Sequence, residues 1–138
     1  MKRTLKLLTL IALLSSSLTF GQDKNQCDTI YTLVDKMPSY DKDIAGLAGY
    51  VTKEMIPVIT DCVKRDGGLI SRLDVVLTID SNGRVTDASF QKSNLTDQCK
   101  SDLKHKLLAM KGWTPGQLER ENVCTYFYLP ISCFKWSY

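Results

Sequence analysis

The clearest pattern of apolar and polar positions lies at residues 69–80. In LISRLDVVLTID, Leu69, Leu73, Val75, Leu77 and Ile79 share one parity, and Arg72, Asp74, Thr78 and Asp80 share the other. A period of two marks a strand with one buried face. DSNGR follows at 80–84, and Asn82–Gly83 is a strong tight-turn signal because both residue types tolerate positive φ. VTDASFQKS then returns as a second, more polar strand, so a hairpin is expected.

Two stretches carry the helical period instead. Ile44, Leu47, Ala48, Val51 and Met55 form one apolar face behind Asp43, a suitable N-cap. Gly46 and Gly49 weaken this helix by up to about 1 kcal/mol each relative to alanine. Pro57 should end or kink it, with VITDCVKR adding a further turn or two before the stop at DGG, 66–68. In the second stretch, Cys99, Leu103, Leu107 and Met110 fall on one face behind a cap at Asn94 or Thr96. Gly112 closes it, and WTPGQLEREN, 113–122, reads as a loop.

A last strand is expected over about residues 122–135. Val123, Thr125, Phe127, Leu129, Ile131 and Cys133 share one face, and Tyr126, Tyr128, Pro130, Phe134 and Trp136 the other. Proline gives no N–H to a ladder, so Pro130 places this strand at a sheet edge. The order is helix, strand, strand, helix, strand. The expected fold is α+β: a small three-stranded antiparallel sheet, ordered second–first–third, with the helices packed on one face.

The first residues change the charge argument. Lys2, Arg3 and Lys6 precede the apolar run Leu7–Leu14, and small and polar residues follow. This is the layout of a secretory signal peptide over residues 1–21, with cleavage after Gly21. The competing reading is a retained membrane anchor, but the run is well short of the roughly 20 residues that span a bilayer. The chain carries 18 basic and 15 acidic residues; without the leader's three cations the two signs balance. A neutral domain gives no electrostatic case for nucleic acid as a partner. Residues 22–33 are polar and expected to be flexible, and residues 34–138 form one domain.

Export to the periplasm or beyond makes disulfides plausible for the five cysteines, which are Cys27, Cys62, Cys99, Cys124 and Cys133. Cys124 and Cys133 have opposite parity on one strand and cannot pair with each other. Cys62 can pair with Cys99 or Cys133, with Cys62–Cys99 preferred, and the free thiol is expected at Cys27 or Cys124. No cofactor or metal is expected, because zinc-ligand spacing is absent. With a single His in the chain, and Cys99 and His105 about 240° apart around their helix, no thiol catalysis is expected either. The protein reads as a non-enzyme.

Four stretches in order then resemble a known family. VDKMPSY (34–40), DSNGRVTDASFQKS (80–93), MKGWTPG (110–116) and YFYLPI (126–131) are similar to segments of the periplasmic C-terminal domain of TonB-type energy transducers. The resemblance spans nearly all of residues 34–136. It implies a binding module that takes a TonB-box peptide of an outer-membrane transporter as an added strand beside the last strand. Carried onto this chain, the pairing stretch is Val123, Cys124, Thr125, Tyr126, Phe127, Tyr128 and Leu129, on one side of Pro130. Full transducers also have a membrane helix and a long Pro-rich spacer, which are not recognisable here. The alternatives are a membrane-tethered transducer variant with an uncleaved anchor, and a secreted domain whose last strand pairs with a second copy.

Overall fold

The computed structural model describes residues 27–67 and 72–132. The leader with its cleavage site, Leu69, Cys133, Phe134 and Trp136 lie outside them. The protein is mixed α+β. Its main sheet holds β2 (Arg72–Ile79), β3 (Val85–Gln91) and β7 (Thr125–Ser132), all antiparallel, in the order β3-β2-β7. The expected order is therefore found, with β7 at one edge. Short strands fill the rest: β1 (Ser39–Tyr40) pairs with β4 (Trp113–Thr114), and β5 (Gly116–Leu118) with β6 (Glu121–Val123).

The apolar parity of β2 is realised, while on the other parity Thr78 and Asp80 are buried as well. Leu73, Val75, Leu77 and Ile79 are buried and form the centre of the core. The turn into β3 is built around Asp80. Its carboxylate accepts from the N–H groups of Asn82 and Arg84, both at 2.9 Å, and Gly83 takes φ 78°. Only glycine fits at 83, because a Cβ there would collide with the carbonyl oxygen of Trp113.

Helix α3 (Asp97–Leu108) starts at Thr96, whose side chain accepts from the Cys99 N–H. It buries Cys99, Leu103 and Leu107 against the sheet face that carries the β2 core residues. The other helical region runs without a break from 44 to 66: α1 (Ile44–Tyr50), a π-helical segment (Val51–Met55) and α2 (Ile56–Asp66). Asp43 caps α1 by accepting from Gly46 N–H at 2.8 Å. Pro57 does not end the helix, one of the two outcomes expected of it. It follows directly on the π turn, in which the Ile56 N–H donates to the Val51 carbonyl, so the hydrogen-bond ladder is already displaced where proline supplies no N–H. Cys62 is thus helical and reaches Cys99, and this disulfide closes a 37-residue separation. In the chain-entropy account such a bridge contributes about 4 kcal/mol.

Two expectations are corrected. Cys27 and Cys124 are not free; they are joined to each other across 97 residues. The cause is the path of the N-terminal segment, which runs beside the last strand. Through Cys27 and Tyr31 this segment is joined to the start of that strand. The last strand is also interrupted: residues 121–123 turn back onto β5, and β7 begins after Cys124. Two disulfides fit an oxidising compartment such as the periplasm or the extracellular space. Among the described residues no helix is long and apolar enough to cross a membrane.

Candidate functional site

The outer edge of β7 is the feature that needs explaining. Its inner edge pairs with β2 from Arg72↔Ser132 to Ile79↔Thr125. The direction of each backbone group follows from one contact. Tyr126 N–H donates to the Tyr31 carbonyl at 2.9 Å, on the side away from β2. Backbone groups alternate sides along a strand, so Tyr126, Tyr128, Pro130 and Ser132 face outward and Thr125, Phe127, Leu129 and Ile131 face β2. Pro130 therefore occupies a position whose missing N–H costs the fold no ladder bond.

The first rungs of this edge are already filled. Tyr31 N–H donates to the Cys124 carbonyl at 2.9 Å, which with the Tyr126 bond makes a parallel bridge at Thr125. The chain then leaves the edge, and Lys36 exchanges backbone bonds with Gln117 of β5 at 2.9 and 3.1 Å. Residues 27–36 thus form a strap across the start of β7. Beyond it, among the described residues, nothing pairs with the outer groups of Tyr128, Pro130 and Ser132. That open length is about 13 Å at the usual strand rise.

A groove of about 710 Å³ runs beside this open length. One wall is β7 from Phe127 to Ser132, and the other is the helical region through Ile44, Leu47, Val51 and Ile56. The periodic apolar face expected for this helix is real, yet only its C-terminal half, Met55, Ile59 and Cys62, is buried. Ile44 is 85% exposed. Leu47 and Val51 line the groove with one side and pack against the core with the other, so within the first turns it is Ile44 that looks across at the strand edge.

The floor near Phe127 is rigid. Trp113 stacks edge-on against Phe127 at 4.8 Å between centroids and tilts against Tyr40 at 5.3 Å, which meets Tyr50 at 5.6 Å. Burial, then nearby carboxylates, pushes the Tyr40 phenol up; for Tyr50, burial is followed by Tyr40 and Glu54. Tyr50 donates its hydroxyl to the Lys106 carbonyl at 2.7 Å, anchoring α1 to α3. On the outer sheet face, Arg72 bridges the Asp74 carboxylate at 2.7 Å and the Tyr128 hydroxyl at 3.1 Å. The Arg72 hydrogen bond, then that of Tyr128, holds the Asp74 carboxyl below the ordinary carboxylate value.

The seven residues expected to pair with a partner are placed unequally. Val123 lies in β6 opposite Gly116. Cys124 is tied to Cys27, its carbonyl is occupied by Tyr31, and Thr125 is fully buried. Tyr126 has given its N–H to Tyr31. Phe127 and Leu129 turn their backbone toward β2. Among the described residues, Tyr128 is the one of the seven whose outward N–H and carbonyl are both unpaired; Tyr126 keeps its carbonyl open. Sequence reasoning missed the strap, the helix wall at Ile44 and Leu47, and the open rung at Ser132. Cys27, a cysteine within the N-terminal segment, was the one signal that could have pointed to the strap.

Comparison with protein-family models, with curated proteins and with solved structures finds no match to this chain. What the site can do is therefore argued from its geometry. An open strand edge offers donors and acceptors at a fixed spacing, and only an extended backbone meets them in series. Among the described residues, no cluster of three or more His, Cys, Asp or Glu could hold a metal ion.

Proposed function

We propose that this protein is a peptide-capture module, which takes an extended segment of another protein as an added strand on the outer edge of β7. One observation carries the reading: the rungs at Tyr128, Pro130 and Ser132, open among the described residues, face an apolar helix wall across a groove of about 710 Å³. The strap supports it, since Tyr31 already pairs with the same edge. A strand laid along the groove turns alternate side chains toward Leu47 and Val51 and the others to solvent. The segment that fits is short, alternating and apolar on one side. Binding is weak and transient, because so small an interface buries little surface.

The resemblance to the TonB C-terminal domain supports a finer reading. The partner is then a TonB-box-like segment of an outer-membrane transporter, bound in the periplasm, and the protein is no enzyme. The pairing stretch shifts from 123–129 to 128–132, because the strap holds the earlier rungs. The test is titration of the disulfide-intact protein with TonB-box peptides, followed by backbone amide shifts. Shifts should concentrate at Tyr128–Ser132 and along Ile44–Ile56. No shift at millimolar peptide rejects the reading. Shifts at Tyr128 that depend on protein concentration alone would favour pairing with a second copy.

A further inference from the structure

We infer that the Cys27–Cys124 disulfide is a redox latch: it holds the strap on the first rungs of the β7 edge, and its reduction by a dithiol lengthens the open edge from 128–132 to 124–132. This rests on the peptide-capture reading for its consequence, though not for the latch itself.

Three observations support it. The two disulfides differ in access. Cys62 and Cys99 are 2% and 1% exposed, whereas Cys27 and Cys124 are both only half-buried. A reductant in solution reaches the outer pair first. The strap is also poorly held without the bond. Among the described residues, the hydrogen bonds from Cys27–Leu33 to the rest of the protein are the two backbone bonds of Tyr31, and Leu33 is 85% exposed. Two such bonds contribute little net stability against the entropy of ordering the several residues they fix. Finally, the segment beyond is anchored independently. Lys36 stays paired with Gln117, and Asp35 accepts from Glu119 N–H at 2.7 Å. Release therefore stops at residue 34 and leaves the domain intact.

The exchange step balances. A thiolate of the dithiol attacks one sulfur of the Cys27–Cys124 bond, and the other sulfur leaves as thiolate. The second thiol of the reductant resolves the mixed disulfide. The dithiol is oxidised to its disulfide, and Cys27 and Cys124 end as two thiols, having taken the two electrons and two protons. Tyr31 then departs, freeing the Tyr126 N–H and the Cys124 carbonyl.

The test uses the purified chain with its disulfides intact and free thiols capped. Limited dithiothreitol is followed by alkylation, mass mapping and amide hydrogen exchange. Cys27 and Cys124 should label before Cys62 and Cys99. Exchange at Tyr126 and Tyr31 should rise at least about tenfold, with Val75 and Leu77 unchanged. The Cys27→Ser/Cys124→Ser double variant should show the same exchange without reductant. A Tyr126 amide that stays protected in the reduced chain overturns the latch. Loss of protection at Val75 and Leu77 together with Tyr126 overturns it too, since the bond would then be a staple of the whole fold. With the latch open, the footprint of a bound TonB-box peptide should extend to Tyr126. Release of Tyr126 with no peptide shifts in either form would keep the latch and reject peptide capture.

Discussion

The direction of the β7 backbone can be tested with proline, in pairs that cancel the side chain. Tyr128→Pro removes an N–H that faces the groove, and Leu129→Pro removes one that faces Val75 of β2. Each is compared with alanine at the same site. Tyr128 is half exposed, and its side chain contributes the hydroxyl contact to Arg72 and its packing beside Val76. Both proline and alanine lose these, at about 0.2–1 kcal/mol. The proline-minus-alanine difference at 128 should then be under about 0.5 kcal/mol, because no ladder bond is lost. Pro130 shows that this strand accepts a proline two positions on, in the same orientation. At Leu129 the buried side chain is lost in both variants, at about 2–5 kcal/mol. Proline additionally strands a buried carbonyl of Val75, which adds about 1–3 kcal/mol. The assay is urea unfolding with disulfides intact, reading midpoints at constant m. Equal proline penalties at 128 and 129 would refute the assigned alternation, and with it the open edge. The same variant should weaken peptide binding about fivefold relative to Tyr128→Ala, the equivalent of one net hydrogen bond.

Two further outcomes follow from other parts of the molecule. Gly49 lies mid-helix with nothing within 4 Å of a built Cβ, so Gly49→Ala should stabilise by about 0.5–1 kcal/mol; a rise of a few degrees in Tm checks it. Lys104 bridges Asp87 at 2.6 Å, joining α3 to β3, and its hydrogen bond holds the Asp87 carboxyl below the ordinary value. A depressed folded pKa means the unfolded chain binds the proton first as pH falls. The stabilisation is therefore present above the unfolded carboxylate value near about 3.9 and lost as pH drops through the folded one. Lys104→Met should flatten the acid limb of stability against pH, and an unchanged limb would count against the pair.

What could be read from the sequence follows how local the signal was. The parity of β2, the caps Asp43 and Thr96, the Asp80–Gly83 turn and the Cys62–Cys99 bridge all depend on a few spacings or on one helix face meeting another. At Pro57 the sequence left an end and a kink both open, because a π turn changes the helical phase just before it and no residue pattern announces that turn. The loop expected at 113–122 holds three short strands. Two or three residues carry no period, and the β5–β6 turn places Glu119 and Arg120 at φ 51° and 69° without the Asn or Gly that would signal it. The strap was the least legible part. Its residues mix Ile30, Tyr31, Leu33 and Val34 with polar neighbours in no clear period, and it is fixed by a bond to a residue 97 positions away. Its place on the edge, and hence the shift of the open rungs to 128–132, needed the tertiary structure.

An apolar edge strand is a hazard, because any extended chain can pair with it. Here the edge is divided into two regimes. Rungs 124–126 are closed by the protein's own backbone and a covalent bond. Rung 130 lacks its donor, which interrupts the donor series and limits how long a strand can add without a gap. Among the described residues, the outer groups left open are those of Tyr128, Pro130 and Ser132, a length that under the proposed function suits one brief peptide and gives little room for sheet growth. The helix wall opposite strengthens the argument. Were β7 simply blunted against aggregation, Ile44 would gain by closing onto it and burying its side chain, at roughly 1.5–3 kcal/mol for a fully buried group. It stays 85% exposed across the groove instead, which the proposed capture of an added strand accounts for and a merely protected edge does not.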